Sequence, residues 1–239
     1  MALDDKIYLF ITPGSLSQRI SGYARRRMFD IFIDAVGPLA DDSILDVGVT
    51  SDRLCASSNY FEALYPHKSR ITATGIDDCR FLENLYPGLR FVCADGCDLP
   101  FEDNSFDIVH SSAVIEHVGG RDRQIRFLRE LVRIARRCVF VTTPNRWFPV
   151  EFHTILPLVH WLPDVAFRRI VRTIRGPFYA DQNNLRLLTI SELSSCCRQA
   201  GIARYSFRRL RLLGWTSNII LLISKGQVPN EFADEQKMS

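Results

Sequence analysis

Between residues 43 and 143 short β-branched runs alternate with helical patterns, and no other feature of the chain restricts its fold so strongly. Five runs read as strands: 44–47 (ILDV), 70–76 (RITATGI), 89–93 (LRFVC), 106–109 (FDIV) and 138–143 (CVFVTT). The first, fourth and fifth have the continuous apolar centres of strands buried on both faces. Between the last two, Ile125, Leu128, Leu131, Val132 and Ala135 recur at helical spacing, so a helix is expected over 121–137. Alternating strand and helix predict a parallel sheet covered on both sides, an α/β doubly wound arrangement.

Further on, Thr189 and Glu192 have capping-box spacing and open a helix that ends near Gly201. Two strand-like runs follow, 204–213 and 217–224, before a polar tail at 227–239. Two segments stand outside the alternation. Residues 15–36 read as an N-terminal helix carrying Arg19, Arg25, Arg26 and Arg27. Residues 144–188 form an insertion rich in Trp, Phe, Pro and Arg, too long for a simple connection and too aromatic for a disordered one, so it is expected to be a helical and aromatic substrate cap. With 239 residues in all, a single domain over 1–226 holds both decorations.

Composition narrows the function classes. The chain is 46% hydrophobic and 24% charged, with 30 Lys+Arg against 27 Asp+Glu, and a net charge of +3 gives no reason to expect nucleic acid as a partner. The opening residues MALDDK carry acids where a secretory signal needs basic ones, and the apolar run at 7–11 is too short for its core. No run reaches the ~20 apolar residues of a membrane helix. A cytoplasmic protein is expected. The seven cysteines are scattered, several in apolar runs, which suits buried thiols in a reducing compartment. No C-x-x-C pair suggests structural zinc, and no G-x-x-x-x-G-K-[ST] suggests a phosphate loop.

The strand ends carry the chemistry. The first leads into Asp46-Val47-Gly48-Val49-Thr50, the second into Gly75-Ile76-Asp77-Asp78, the third into Asp95-Gly96, and the fourth into Ser111-Ser112 and Glu116-His117. Carboxylates and small residues at successive carboxyl tips of a doubly wound sheet make a nucleoside pocket. Asp77 can accept two hydrogen bonds from a ribose diol, or the Asp77-Asp78 pair can cap the following helix.

These four pieces, with the DLPFEDNSFD stretch at 98–107, resemble the class I S-adenosylmethionine-dependent methyltransferases of the small-molecule branch over about 43–201. That resemblance implies a Rossmann-like seven-stranded sheet with the last strand antiparallel. It implies S-adenosylmethionine as cofactor and S-adenosylhomocysteine as product. It places Asp46 and Gly48 near the methionine moiety, Asp77 on the ribose, Asp95 with Gly96 beside the adenine, and Ser111 and Ser112 at the methionine end. Thr50, Asp78 and Glu116 complete the expected cofactor-binding set. One departure stands out: Thr50 and Asp52 occupy later glycine positions of the family's first loop, and Asp77 follows Asp46 by 31 positions where a compact unit needs ~20. Asn59 or Ser57 is expected to rebuild that loop.

The cap, with Trp147, Phe148, Glu151, Phe152, His153, His160 and Trp161, more loosely resembles the segment after the fifth strand in methyltransferases encoded with bacterial surface-polysaccharide and lipid-linked-sugar genes. The expected acceptor is therefore a hydroxyl of a sugar or glycolipid intermediate. N- or C-methylation of another small metabolite and an inactive partner subunit are the alternatives. His153, two residues after Glu151, is the first candidate base because imidazole titrates near neutrality, and otherwise it only holds the cap together. The pair falls on one side only if the segment is extended. His117 can serve instead, or orient Glu116. His160 reads as packing, and the aromatics as either an acceptor wall or cap filling. No metal is expected, because the cap histidines lack a recognisable carboxylate set. Arginines gather at 25–27, at 168–175 and at 204–211 without nearby acids; the middle group, on an amphipathic pattern at 166–175, suits a peripheral contact with an anionic membrane face.

Overall fold

In the computed structural model of the chain the described residues are 16–52 and 58–225. The apolar run at 7–11, Ser15, Cys55, Ser57 and the 227–239 tail lie outside them. Helix α1 (Leu16–Val36) precedes β1 (Ile44–Val47), α2 (Tyr60–Leu64), β2 (Ile71–Gly75), α3 (Phe81–Leu85), β3 (Arg90–Cys93) and β4 (Phe106–Ser112). Then come α4 (Arg121–Ile134), β5 (Ala135–Pro144), the cap helices α5 (Asp164–Arg175) and α6 (Pro177–Ala180), α7 (Ile190–Gln199), β6 (Tyr205–Leu212) and β7 (Trp215–Ser224). The seven strands form one sheet in the order β3-β2-β1-β4-β5-β7-β6. The first five run parallel, and β7 is antiparallel to both neighbours. This is the doubly wound, Rossmann-like architecture with its last strand reversed.

Alternate residues of each central strand serve opposite layers, as the period of two requires. Leu45, Val47, Val109, Val139 and Val141 pack with Phe127, Leu128 and Leu131 of α4 and Leu193, Cys196 and Cys197 of α7. Their neighbours Ile44, Ile108 and Phe140 point the other way, to Phe32 of α1 and Phe61 of α2. Each of these fully buried side chains contributes ~1.5–3 kcal/mol relative to exposure. Helix α4 stops at Ile134 rather than continuing to 137, because Ala135 turns to extended geometry (φ −67°, ψ 137°) and pairs with Phe106 as the start of β5. The capping box at Thr189 forms as expected: its Oγ1 accepts from the Glu192 N–H while Glu192 accepts from the Thr189 N–H.

The cap has a small core of its own, Phe167, Val171, Tyr179, Leu185 and Leu187. It is joined to the sheet by the bridge Asn145–Leu188 and by Asn145, which donates to the carbonyls of Ser217 and Thr216. The arginine clusters do have acids beside them. Arg27 meets Asp30, Arg208 meets Asp34, and Arg168 meets Asp164 at 2.7 Å, one turn earlier on α5. Arg168 also donates to the Ala180 carbonyl and Arg175 to that of Thr154, so two of the four α5 arginines bind the cap internally while Arg169 and Arg172 stay exposed. The six described cysteines are free thiols, all buried except Cys93. No described helix is long and apolar enough to cross a membrane.

Candidate functional site

A cavity of about 360 Å³ opens at the carboxyl edge of the sheet, between the strand tips, α1 and the cap. Its volume is in the range of small-molecule sites. The tips of β1 to β4 supply Asp46, Gly48, Thr50, Gly75, Asp95, Gly96 and Ser112, and Ser21, Arg25 and Met28 of α1 close one side. Phe152, His153 and Ile155 of the cap face His117 across the other end. Of the residues expected at the cofactor, Asp77, Asp78, Ser111 and Glu116 are not among those walls.

At the β1 tip Gly48 has φ +104°, and a Cβ there would lie 2.1 Å from Cγ2 of Val114. Only glycine fits both the backbone and the space. The Gly48 and Val49 N–H groups donate to the Thr74 carbonyl, fixing the β1 loop against β2. Thr50 and Asp52, where the resembled family has glycine, are accommodated by side-chain clamps. The Asn59 amide accepts from the Thr50 N–H and donates to the Thr50 carbonyl, both at 2.9 Å. Thr50 Oγ1 accepts from the Asp52 N–H, and Ser58 donates to Asp52 at 2.6 Å. Asn59 therefore rebuilds the loop.

Asp46 lies beneath the loop, where His110 Nδ1 donates to it at 2.5 Å. Burial pushes Asp46 up to about 6 and His110 down to about 3, leaving a carboxylate beside a neutral imidazole near pH 7. The His110 ring is stacked on Phe61 at 4.1 Å. Glu62 is also buried against the cavity; burial first, and then the Asp46 charge, hold it well above the usual carboxylate range. No N–H or hydroxyl group donates to either Glu62 oxygen; its side-chain partner is the Asp46 carboxyl. His110 and Glu62 escaped sequence reasoning. A histidine inside the apolar run of β4 was a usable signal; Glu62 on a one-turn helix gave none.

Asp77, just past β2, keeps a buried Oδ2 without a partner. Such an acceptor is costly unless something donates to it. Asp78 is exposed and bound to Arg80 at 2.6 Å, so its carboxylate serves a surface ion pair. Asp95 accepts from the Cys97 N–H at 2.9 Å and from Arg123 at 2.6 Å. Burial alone would raise it, but those two donors hold it below the ordinary carboxylate value. Ser111 donates to the Val47 carbonyl and is wholly buried, a sheet contact rather than a cavity wall. Ser112 pairs with Thr142 at 2.8 Å.

After β4 the chain passes through Ala113 at φ +57°, a strained value for a residue with a side chain, and presents Glu116 and His117. Gln124, buried in α4, and the Arg186 N–H hold this turn by bonding the carbonyls of Ile115 and Glu116. His117 Nδ1 donates to the Asn184 carbonyl at 2.7 Å, and its Nε2 lies 2.9 Å from Nε2 of His153. His153 Nδ1 is 2.7 Å from Glu151. The 151–155 segment is a turn and not the extended strand expected to align this pair: Glu151 accepts from the N–H groups of His153 and Thr154 as well. Burial alone would raise Glu151, but His153 and these donors bring it down to about 2, and Glu151 in turn outweighs burial to raise His153. Burial, then the His153 charge, lower His117 to about 3. Both nitrogens of His153 are engaged, one by a carboxylate and one by an imidazole, so it offers no free lone pair as the expected base. Glu116 is wholly buried, with Oε2 accepting from Thr143 and Oε1 unpartnered; burial pushes it up to about 7. The expectation that the cap histidines lack a carboxylate set does not hold for His153, which has Glu151 on one side and lies near Glu116. His160 donates to the Phe148 carbonyl within the cap.

Residues 45–140 match the methyltransferase domain family. The chain is 33% identical over 109 residues to the chloroplastic tocopherol O-methyltransferase of Arabidopsis thaliana, a match covering 43% of this chain and 30% of that protein. It is 28% identical over 88 residues to the probable tRNA methyltransferase 9B of Mus musculus, covering 36% and 19%. The chain thus spans less than a third of the length of the curated relatives it matches. Among solved structures, it is similar to the 1,6-didemethyltoxoflavin-N1-methyltransferase of Burkholderia thailandensis, which was crystallised with bound 1,6-didemethyltoxoflavin and S-adenosylhomocysteine. There the TM-score is 0.58 at 15% identity, covering 87% of this chain and 81% of the other. The fold is shared.

Proposed function

We propose that the protein is an S-adenosylmethionine-dependent methyltransferase acting on a hydroxyl of a small molecule, with a sugar or glycolipid intermediate as the acceptor class. The methyltransferase domain match at 45–140 and the shared fold support the activity. The observation that carries the reading is the cavity at the carboxyl edge of the sheet, lined by Asp46, Gly48, Thr50, Gly75, Asp95 and Gly96 from successive strand tips; just past β2, outside those walls, Asp77 keeps a buried oxygen without a partner. A ribose diol offers a donor to the unpartnered Asp77 Oδ2, and Asp46 with Glu62 beside it suits an ammonium. When bound, the cofactor supplies an electrophilic methyl group on a sulfonium. The chain's own contribution is alignment, with the strand tips fixing the donor and α1 with the cap confining the acceptor. Arg25 in the cavity wall suits an anionic group on the acceptor, as a lipid-linked sugar phosphate has. Exposed Arg169 and Arg172 on α5 are consistent with approach to an anionic membrane face.

Calorimetric titration with S-adenosylhomocysteine tests the donor site. Micromolar binding is expected, weakened at least tenfold by Asp77→Ala. An intact chain that binds neither donor nor product overturns the enzyme reading in favour of a partner subunit.

A further inference from the structure

Four side chains at the acceptor end are arranged more elaborately than methyl transfer to an aligned hydroxyl demands. Glu116, His117 and His153 each bring one ligand atom to within 4.8 Å of the other two. The two imidazole nitrogens that face each other, His117 Nε2 and His153 Nε2, are 2.9 Å apart. Two nitrogens bound to one cation at ~2.1 Å lie ~3.0 Å apart at a right angle and ~3.4 Å apart at the tetrahedral angle. The observed separation is that of adjacent ligands in an octahedral or facial set.

The outer contacts are those that metal-binding residues use. Each histidine is fixed through its other nitrogen, His117 by the Asn184 carbonyl and His153 by the Glu151 carboxylate, both at 2.7 Å. Glu116 is fixed through one oxygen by Thr143 at 2.9 Å. Its other oxygen is buried without a partner, an independent sign that something is missing there. In the bare arrangement a single proton must lie between the two facing Nε2 atoms, since both Nδ1 positions donate. Loss of that proton would free both Nε2 lone pairs to turn toward one cation lying off the N···N line, which would satisfy the free carboxylate oxygen as well.

We propose that Glu116, His117 and His153 bind a divalent first-row transition-metal cation, with Glu151, Asn184 and Thr143 as its outer contacts. Two imidazoles and one carboxylate select such an ion over magnesium or calcium, which prefer oxygen ligands. His117 and His153 line the cavity, so the remaining coordination positions face the acceptor. The site stands on its own geometry; only its role toward the acceptor rests on the function proposed above. There, a cation would lower the pKa of a coordinated hydroxyl, a task for which His153 has no free nitrogen.

The test uses the full chain after treatment with a chelator. Titration with Zn²⁺ by calorimetry is expected to show one equivalent bound at micromolar affinity or tighter, and Co²⁺ in its place to give visible ligand-field bands. Glu116→Gln, close in shape, is expected to weaken Zn²⁺ binding at least tenfold, and His153→Asn more, with far-UV circular dichroism unchanged in both. Cys93→Ser removes the exposed thiol as a rival ligand and should change nothing. Loss of binding in Cys93→Ser, or affinity unaltered by both site variants, overturns the proposal. So does the absence of Zn²⁺ binding in a chain that still binds S-adenosylhomocysteine, which leaves the enzyme reading intact. Zn²⁺ binding without S-adenosylhomocysteine binding has the opposite meaning, sustaining the metal site and removing the donor site.

Discussion

The two ends of the cavity are built by different means. The donor end is made of backbone and short side chains at the tips of adjacent parallel strands, where Gly48, Thr50, Gly75 and Gly96 sit within a few residues of a sheet position. The acceptor end is made of side chains brought from separate segments: His117 follows β4, while Glu151 and His153 come from the cap, 34 and 36 positions further on. The first construction depends on local geometry that glycine and a clamping amide enforce. The second depends on buried charge, held by tertiary contacts. Damage at the donor end should therefore always cost donor affinity, whereas damage at the acceptor end should cost stability and leave donor affinity nearly unchanged.

The largest stability effect is expected from Glu151→Ala. Glu151 is almost wholly buried and bonds His153 through side chain and backbone, so its removal leaves an uncompensated imidazolium inside the cap. Breaking one side of such a pair costs ~3–5 kcal/mol. Urea denaturation should report that loss, while S-adenosylhomocysteine affinity should change less than threefold. A Glu151→Ala chain that folds stably but no longer binds S-adenosylhomocysteine would erase the distinction between the two ends.

Gly48→Ala should be nearly as severe, at ~3 kcal/mol, from a positive φ and the overlap with Val114 together. Here donor affinity should fall at least hundredfold. Adding Val114→Ala helps to separate the causes: it removes the 2.1 Å overlap with Cγ2, leaving the ~1–2 kcal/mol of backbone strain and a residual 3.2 Å contact with the Cβ of residue 114. Asn59→Ala is milder. It removes two hydrogen bonds to the Thr50 peptide, worth ~1–3 kcal/mol together, and should weaken S-adenosylhomocysteine severalfold by releasing the loop.

The same contrast explains what the sequence disclosed. The sheet was legible because its strands alternate with helices at short range, and the strand tips followed from the strands. Asn59 was foreseeable because the loop lacked glycines and needed another way to close. The acceptor end was legible in its residues but not in their partnership. Nothing in the spacing of Glu116, His117 and His153 states that a cap turn will fold back onto the β4 tip, and the pairing of Glu151 with His153 arises from a turn where extended spacing was the simpler expectation. Glu62 was hidden for a related reason, and His110, though signalled by its place in an apolar strand, shared one part of it: only packing shows that they meet Asp46.

Asp95 is the finest probe of the donor end, because it is half-exposed and already engaged. Its two oxygens accept from the Cys97 N–H and from Arg123, and its side chain is 42% exposed, so solvent screens the ion pair and Asp95→Asn should cost under ~1 kcal/mol. The sign of the pH dependence follows from the lowered value of the folded state. The native chain holds its Asp95 proton less tightly than the unfolded one, so the contribution is complete above the unfolded value of ~3.9 and is lost as pH falls through the lower folded value. The stability difference between the natural chain and Asp95→Asn should thus be present at pH 7 and shrink progressively as pH falls below the unfolded value, measured by urea denaturation at each pH. Donor affinity should fall only a few-fold, far less than with Asp77→Ala, because Asp95 must share any ligand with Arg123 while the Asp77 oxygen has no competing donor. If Asp95→Asn weakens S-adenosylhomocysteine as much as Asp77→Ala does, the donor is gripped at the β3 tip, and an unpartnered buried oxygen is the wrong guide to where this cavity holds its ligand.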